Sequence, residues 1–234
     1  MVESDSAEEK GYEATKMLKI VVFDGGCGGE LFADRLASEL PVVEIIKVID
    51  RYSAETILTQ PRKARIAAEN ALRPYFGQVD LIIFANYLLS ITSLNYFRKK
   101  YKTQKFIGFT LRSKRLVVEK ATLILTTTAT TKNFAFFTLA HRIKAKTICL
   151  DSWPLKIDSG ELTKDNIGSA LGSILGKLRN FSPEQVLLIC GQFTEFIPEF
   201  RKAFGHNVRI VDSFDDTIRD AYRILQIRGV PKPK

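Results

Sequence analysis

The sequence lacks the features that mark exported, membrane-spanning and metal-binding proteins. It has only three cysteines and two histidines, and neither histidine lies near a second ligand at metal-binding spacing. No apolar run reaches the ~18–20 residues that a membrane-spanning helix needs. The first 16 residues are acidic and polar, whereas a signal peptide is basic and then apolar. We therefore predict a cytoplasmic protein with reduced thiols, no metal centre and no membrane partner.

The composition is otherwise that of an ordinary globular protein. Hydrophobic residues make up 45% and charged residues 26% of the chain, which sets aside disordered and fibrous classes. The length of 234 residues fits one large domain or two compact lobes. Either arrangement is long enough to bury a sizeable core.

The chain is basic, with 35 Lys and Arg against 26 Asp and Glu and a net charge of +9. Such a charge can attract nucleic acid, an anionic surface or an anionic substrate. The basic residues form small clusters at 61–65, 98–102, 112–115 and 228–234. No zinc-finger spacing, basic zipper or aromatic RNA-binding motif accompanies them. Nucleic acid is therefore not the partner that we expect, although the net charge leaves it open.

Short apolar runs alternate with stretches of helical periodicity along the chain. The runs have the length of buried strands, and their hydrophobicity is continuous. We predict strands at Leu18–Phe23, Val42–Ile49, Leu81–Phe84, Phe106–Phe109, Ala121–Leu125, Thr147–Leu150, Val186–Cys190 and Val208–Val211. Helical spacing between them, as at Leu31, Leu36 and Leu40, predicts crossover helices. Continuous apolar strands joined by helices indicate mostly parallel sheets covered on both faces, so the predicted fold class is α/β.

A weak internal similarity indicates two similar α/β lobes. Residues 80–86 resemble residues 185–191, because in each a buried strand turns abruptly into a loop with a small residue. Likewise a strand precedes the loop at 24–29 in the first half and the loop at 126–131 in the second. Ligands of open α/β sheets bind beyond the carboxyl ends of the strands. We therefore expect these four loops to converge on one cleft between the lobes.

The loop at 24–29 reads DGGCGG and stands between a predicted strand and a predicted helix. Its glycines permit a close backbone approach and leave N–H groups free for an anion. The spacing is not the G-x-G-x-x-G of a dinucleotide site. A small-anion site, a plain tight turn and a nucleotide site all remain open for this loop.

Four motifs occur in an order that is typical of one enzyme family. Residues 20–29 (IVVFDGGCGG) resemble the pattern V-F-D-S-G-V-G-G, and residues 82–87 (IIFANY) resemble V-V-A-C-N-T. Residues 126–133 (TTTATTKN) resemble G-T-x-A-T-x-x-S, and residues 188–194 (LICGQFT) resemble L-G-C-T-H-Y-P. Pro198 and the later Val211-Asp212-Ser213 also match. With these motifs the chain resembles glutamate racemases, members of the aspartate/glutamate racemase superfamily, over about residues 18–226.

The resemblance implies a cofactor-independent enzyme with two pseudo-symmetric lobes that acts on a small acidic amino acid, glutamate first. In that family two cysteines face each other across the substrate α-carbon, and one removes a proton while the other returns one. A homodimer and a role in supplying D-glutamate for the peptidoglycan of the cell wall are implied in the same way. The implied first lobe is 17–110 with 206–227, and the second is 111–205. A flexible leader at 1–16 and a basic tail at 228–234 flank them.

Several residues depart from the family pattern. Ala85 stands where the first catalytic cysteine belongs, and an alanine cannot exchange a proton. Gly25 replaces a serine, Tyr87 a threonine, and Gln192 the histidine that assists the second thiol. The family's P-Y-G carboxylate-binding turn, expected near residues 55–57, is not recognisable. The reaction is therefore expected to be altered or lost.

The residues that match the family's site are assigned roles on that basis. Cys190 matches the second catalytic cysteine, and Asp24 is a candidate base or orienting group that could equally be turn chemistry. Cys27 is the candidate substitute for the missing base. The predicted substrate-binding residues are Gly25, Asn86, Thr127, Thr130 and Gln192.

Two other functions compete with racemisation. A single-thiol relative that isomerises or decarboxylates a small dicarboxylate needs one proton donor only, which suits Ala85 with Cys190. A non-catalytic binding homologue would lose the chemistry and either retain the cleft or use its basic surface to bind another macromolecule.

Overall fold

The fold consists of two parallel β-sheets with helices packed around them. In this computed structural model the described residues are 17–51, 54–110 and 120–227. The predicted leader and basic tail lie outside the described residues, as does the basic cluster at 112–115. Each sheet has four strands, which confirms the predicted α/β class with parallel sheets.

The two sheets have the same strand order. The first contains β1 (Leu18–Asp24), β2 (Val43–Ile49), β3 (Leu81–Phe84) and β4 (Phe106–Gly108). The second contains β5 (Thr122–Thr126), β6 (Lys146–Cys149), β7 (Gln185–Leu188) and β8 (Arg209–Val211). The orders are β2-β1-β3-β4 and β6-β5-β7-β8. The second order repeats the first, which is the internal similarity that the sequence indicates.

Helices cover the sheets and connect their strands. They are α1 (Cys27–Glu39), α2 (Ala54–Thr59), α3 (Pro61–Leu72), α4 (Tyr87–Lys100), α5 (Thr128–Thr131), α6 (Phe134–Arg142), α7 (Trp153–Asp158), α8 (Ile167–Lys177), α9 (Ile197–Phe204) and α10 (Phe214–Leu225). Short 3₁₀ helices lie at Arg73–Tyr75 and Gly191–Phe196. Within the described ranges, no helix combines the length and the apolar character that a membrane crossing requires.

The central strands are buried on both faces, which is why their sequences are continuously apolar. In β1, Val22 belongs to a cluster that also includes Ile124 and Leu187 of the second sheet. Its neighbour Phe23 points to a separate cluster of the first lobe. A third cluster, around Trp153, fills the second lobe. The core between the sheets therefore joins the two lobes.

The eight predicted strands are confirmed, with ends that differ by at most two residues. The largest difference is at β7, which ends at Leu188 instead of Cys190. Cys190 adopts an extended conformation ahead of the 3₁₀ helix that begins at Gly191. It therefore lies in a loop and not within the sheet.

The segment 206–227 is divided between the two lobes, whereas we predicted it as part of the first. Strand β8 pairs with β7 at the edge of the second sheet. Helix α10 then returns to the first lobe, where the Tyr222 hydroxyl donates to the Glu39 carbonyl of α1 at 2.7 Å and Arg35 of α1 pairs with Asp215. The strand of this segment therefore belongs to the second sheet, because β8 completes the ladder of β7, while its helix packs on the first lobe.

Candidate active site

Loops from both lobes meet at the carboxyl ends of the strands. Asp24 ends β1, Asn86 follows β3, and Cys190 follows β7. Together with residues of α2 and α7 they enclose a cavity of about 30 Å³. Its lining consists of Asp24, Gly25, Gly26, Ile57, Asn86, Pro154, Leu155, Asp158, Cys190 and Gln192. The predicted loop at 126–131 does not contribute to this lining.

The cavity is narrow for a substrate. At about 30 Å³ it has room for about two water molecules, given the ~10–15 Å³ that one water occupies on this measure. An amino acid therefore enters only if the loops of the two lobes separate.

Asp24 is a buried carboxyl group with a perturbed pKa. Its side chain is 1% exposed, and its Oδ1 accepts hydrogen bonds from the Gly25 amide at 2.6 Å and from Asn86 Nδ2 at 3.0 Å. Burial raises the pKa of Asp24 to about 7, against the opposing effect of these two bonds, and the nearby Asp158 adds to the rise. Asp24 is therefore partly protonated near neutral pH.

Asp24 and Ala85 lie side by side at the carboxyl ends of two neighbouring strands. Strands β1 and β3 are parallel neighbours, with Phe23 opposite Phe84, and the Ala85 amide donates to the Phe23 carbonyl at 2.8 Å. Asp24 and Ala85 thus follow paired residues at the same sheet edge. Ala85 itself is fully buried. A titratable group is therefore present next to Ala85 at this edge.

Asn86 connects this edge to α4. Its Oδ1 accepts from the Leu89 amide at 2.9 Å and caps the helix, while its Nδ2 donates to Asp24. The oxygen and the nitrogen of the Asn86 side-chain amide are thus both hydrogen-bonded within the protein. The next residue, Tyr87, is buried, which raises its pKa to about 12, and it does not line the cavity.

Cys190 is held as a neutral thiol. Its Sγ donates to Gln192 Oε1 at 3.0 Å. Burial raises the pKa of Cys190, and the carboxylates of Asp24 and Asp158 act in the same direction, while the amides of Gln192 and Phe193 oppose the rise. A thiol in this state is suited to donate a proton and not to remove one.

Asp158 is a site residue that the sequence analysis missed. It ends α7, and its Oδ1 accepts from the Cys27 amide at 2.7 Å while its Oδ2 accepts from Gln192 Nε2 at 3.3 Å. Gln192 in turn accepts from Cys190, so a chain of hydrogen bonds links the carboxylate to the thiol. Asp158 is 131 residues from Cys27 and belongs to no recognisable motif, so the sequence offered no signal for it.

Cys27 lies next to the cavity but is not part of its lining. It is the first residue of α1. Burial, the hydrogen bond with Asp158 and the charge of Glu195 all raise the pKa of Cys27. The structure thus disfavours the thiolate that a substitute base requires.

The glycines of the first loop allow the two lobes to touch. A Cβ on Gly26 would lie 2.5 Å from Asp158 Oδ2, and one on Gly28 would lie 2.8 Å from the Gln192 amide nitrogen and 2.9 Å from the Gly191 carbonyl carbon. Side chains at either position would collide with the second lobe. The close backbone approach that the sequence predicts is therefore made to protein atoms.

Thr127 and Thr130 are buried away from the cavity. Their hydroxyls hydrogen-bond to each other at 3.1 Å, and neither residue belongs to the lining. Their contact with a substrate stays a prediction. Within the described part of the chain, no group of His, Cys, Asp and Glu side chains is arranged to hold a metal ion.

Several solved structures with a similar fold are racemases. The chain is similar to glutamate racemase of Escherichia coli in complex with L-glutamate and its activator UDP-MurNAc-Ala, with a TM-score of 0.75 and 20% identity over 93% of this chain and 85% of that one. It is similar to glutamate racemase of Francisella tularensis in complex with D-glutamate, with a TM-score of 0.76 and 18% identity over 93% and 86% of the two chains. The chain has the glutamate racemase fold.

Aspartate racemase of Picrophilus torridus shares this racemase fold less closely, with a TM-score of 0.60 and 15% identity over 88% of this chain and 92% of that one. No protein-family model and no curated protein sequence matches the chain. The fold that the motifs predict is therefore confirmed by structure, at sequence identities too low to carry residue roles across.

Proposed function

We propose that this protein is a cofactor-independent racemase or isomerase of a small amino acid, with Asp24 and Cys190 as its acid–base pair. The observation that carries the proposal is that these two groups, one from each lobe, line the same cavity. Inversion at a carbon requires one group that removes a proton and a second that returns one. The racemase fold supports the reaction class, and glutamate is the first substrate to test.

The protonation states of Asp24 and Cys190 indicate which group removes the proton and which group returns one. With a pKa of about 7, Asp24 is partly ionised at neutral pH, so its carboxylate can take the α-proton and leave a carbanion. Cys190, whose pKa is raised, can then deliver its S–H proton to that carbon. The cycle closes when the protonated Asp24 releases its proton and the Cys190 thiolate regains one from solvent. A carboxylate thus serves where the family has its first thiol.

Two residues assist this pair without reacting. Asn86 donates to Asp24 and fixes its carboxylate, while Gln192 accepts from the Cys190 thiol and fixes the direction of its S–H bond. Gly25 also belongs to the cavity lining. We assign to these three residues the positioning of substrate and catalytic groups.

The test is proton NMR of the protein with L-glutamate, and then with L-aspartate, in deuterated buffer, followed by chiral analysis. We expect loss of the α-proton signal together with the D-isomer. Exchange without the D-isomer would indicate the single-thiol alternative, which the buried methyl group of Ala85 favours. Absence of exchange with both amino acids would contradict the proposal and favour a non-catalytic homologue.

Variants identify the residues responsible. Cys190→Ser and Asp24→Asn should each lower the exchange rate by about 100-fold or more, since general acid–base groups contribute ~10²–10⁴-fold. The matched controls are Cys149→Ser and Asp165→Asn, since neither residue belongs to the cavity lining. Both controls should retain the rate of the unmodified protein. Equal loss in test and control variants would show that these assignments are wrong.

A further inference from the structure

The first lobe carries a strongly basic face on its two neighbouring helices α3 and α4. We define the basic face by five side chains, all at least partly exposed: Arg62, Lys63, Arg65, Lys99 and Lys100. They belong to two of the basic clusters in the sequence. None of them takes part in the cavity described above.

The Tyr96 ring of α4 makes cation–π contacts with a cation from each of the two helices. The guanidinium carbon of Arg65 lies 4.4 Å from the centre of the Tyr96 ring, and Lys100 Nζ lies 5.4 Å from it. Cation–π contacts of this kind restrain the long side chains. Arg65 is therefore ordered before any partner binds, which lowers the entropy lost on binding.

One acidic residue lies within the basic face and is already satisfied. Glu69 accepts from the hydroxyls of Tyr96 and Tyr101 and pairs with Lys100. The hydrogen bond from Lys100 is the largest cause of the lowered pKa of Glu69, so this carboxylate stays ionised. It neutralises one of the five cations and leaves the net charge of the face strongly positive.

The positive charge of the whole chain is concentrated in this region. Residues 61–105 contain nine Lys and Arg but two Asp and Glu, so this segment supplies seven of the nine net positive charges. The remaining chain is close to neutral. Such an asymmetric field steers a polyanion to one side of the molecule.

The basic face is remote from the cavity. Helix α4 begins after Asn86 at the cavity and ends at Lys100. Its 14 residues span about 20 Å at ~1.5 Å per residue. Lys99 and Lys100 are therefore far from Asp24 and Cys190, and none of the three cations on α3 belongs to the cavity lining.

We propose that this basic face binds the phosphate backbone of a nucleic acid. Its cations are distributed along two helices and do not converge on one point, so they match a row of phosphates better than a single small anion. Nonspecific binding of this kind arises from the release of counterions and needs no sequence motif. The proposal is independent of the reaction in the cavity.

The experiment uses the full-length protein with a fluorescein-labelled DNA duplex and a single-stranded RNA of the same sequence, titrated from about 50 to about 200 mM salt. The test variant is Arg62→Gln, Lys63→Gln and Lys99→Gln. The matched control is Lys164→Gln, Lys177→Gln and Lys202→Gln, which removes the same charge from exposed positions of the second lobe. Circular dichroism verifies that both variants fold.

We expect the test variant to bind at least about 10-fold more weakly than the unmodified protein and its salt slope to fall by up to about 3, one for each lost phosphate contact. The control should change affinity by less than about 3-fold, because it alters only the long-range field. Whichever of the DNA duplex and the single-stranded RNA binds more tightly identifies the class of nucleic acid that the basic face recognises. Equal weakening in test and control, no binding at low salt, or a preference for anionic lipid vesicles over both nucleic acids would overturn the proposal.

Discussion

Replacing Asp24 with asparagine should make the protein progressively more stable, relative to the unmodified protein, as the pH rises. The substitution keeps an oxygen that can accept from the Gly25 amide and from Asn86, as Oδ1 of Asp24 does. It removes the ability to ionise and replaces Oδ2, which is buried without a hydrogen-bond partner, with an amide NH2 group whose effect on stability does not depend on pH. Because Asp24 is 1% exposed, its charge is desolvated in the folded state and hydrated in the unfolded one.

The size of the effect follows from the two pKa values. Burial raises the pKa of Asp24 from 3.8 to about 7 in the folded protein. Each tenfold difference in proton affinity corresponds to about 1.36 kcal/mol, so ionisation of Asp24 costs the folded state about 4 kcal/mol. Between these two pKa values, Asp24 is protonated in the folded state and ionised in the unfolded state. The contribution of Asp24 to stability is therefore full below the lower pKa and is lost as pH rises through the upper one.

The assay is urea denaturation of the unmodified protein and of Asp24→Asn at several values between about pH 4 and about pH 8. We expect the unfolding free energy of the unmodified protein to fall, relative to that of the variant, by about 4 kcal/mol across this range. Asp165→Asn, at an exposed position, serves as the control and should give a difference that does not change with pH.

A constant difference between Asp24→Asn and the unmodified protein would refute this reasoning, since Asp24 would then titrate alike in both states. A difference of the opposite slope would mean that hydrogen bonds outweigh burial at this carboxyl. Either result would also remove the basis for Asp24 as a proton acceptor near neutral pH.

Two further substitutions test the surroundings of the site. Gly28→Ala should lower the unfolding free energy measured by urea denaturation by ~1–3 kcal/mol, because the added Cβ would lie 2.9 Å from the Gly191 carbonyl carbon. Gly176→Ala, where an added Cβ meets open space, should be neutral or stabilising in the same assay. Asn86→Ala should lower the unfolding free energy by about 1 kcal/mol, because a helix cap is lost. It should also raise the pKa of Asp24 further, because it removes a hydrogen bond that lowers this pKa. The fall in unfolding free energy with pH, measured by urea denaturation, should then extend to higher pH, and an unchanged pH profile would contradict the role of Asn86.

The fold was largely predictable because its signals are local. A buried parallel strand is apolar at every position, so Leu81–Phe84 and Phe106–Gly108 stand out from the helices between them. The similarity of the loops after residues 84 and 188 also revealed that the lobes repeat. The partner of β8 was not predictable, because a three-residue strand carries no information on which sheet edge it joins.

The candidate site was predictable only in part. Sequence motifs named Asp24, Asn86 and Cys190, and the structure places them around one cavity. The same reasoning named Thr127 and Thr130, whose hydroxyls bond to each other and which do not belong to the cavity lining. A motif indicates residue types at a spacing, and it does not say which way a side chain turns.

The sequence by itself determined the α/β class, the strand positions and the loops that carry polar residues, since hydrophobic periodicity and glycine placement are properties of neighbouring residues. Only the tertiary structure decided the chemistry of the cavity. The pKa of Asp24 depends on how completely the fold excludes water from it, and the contact of Asp158 with Gln192 requires that two distant segments meet. Desolvation and long-range hydrogen bonds exist only once the chain has folded.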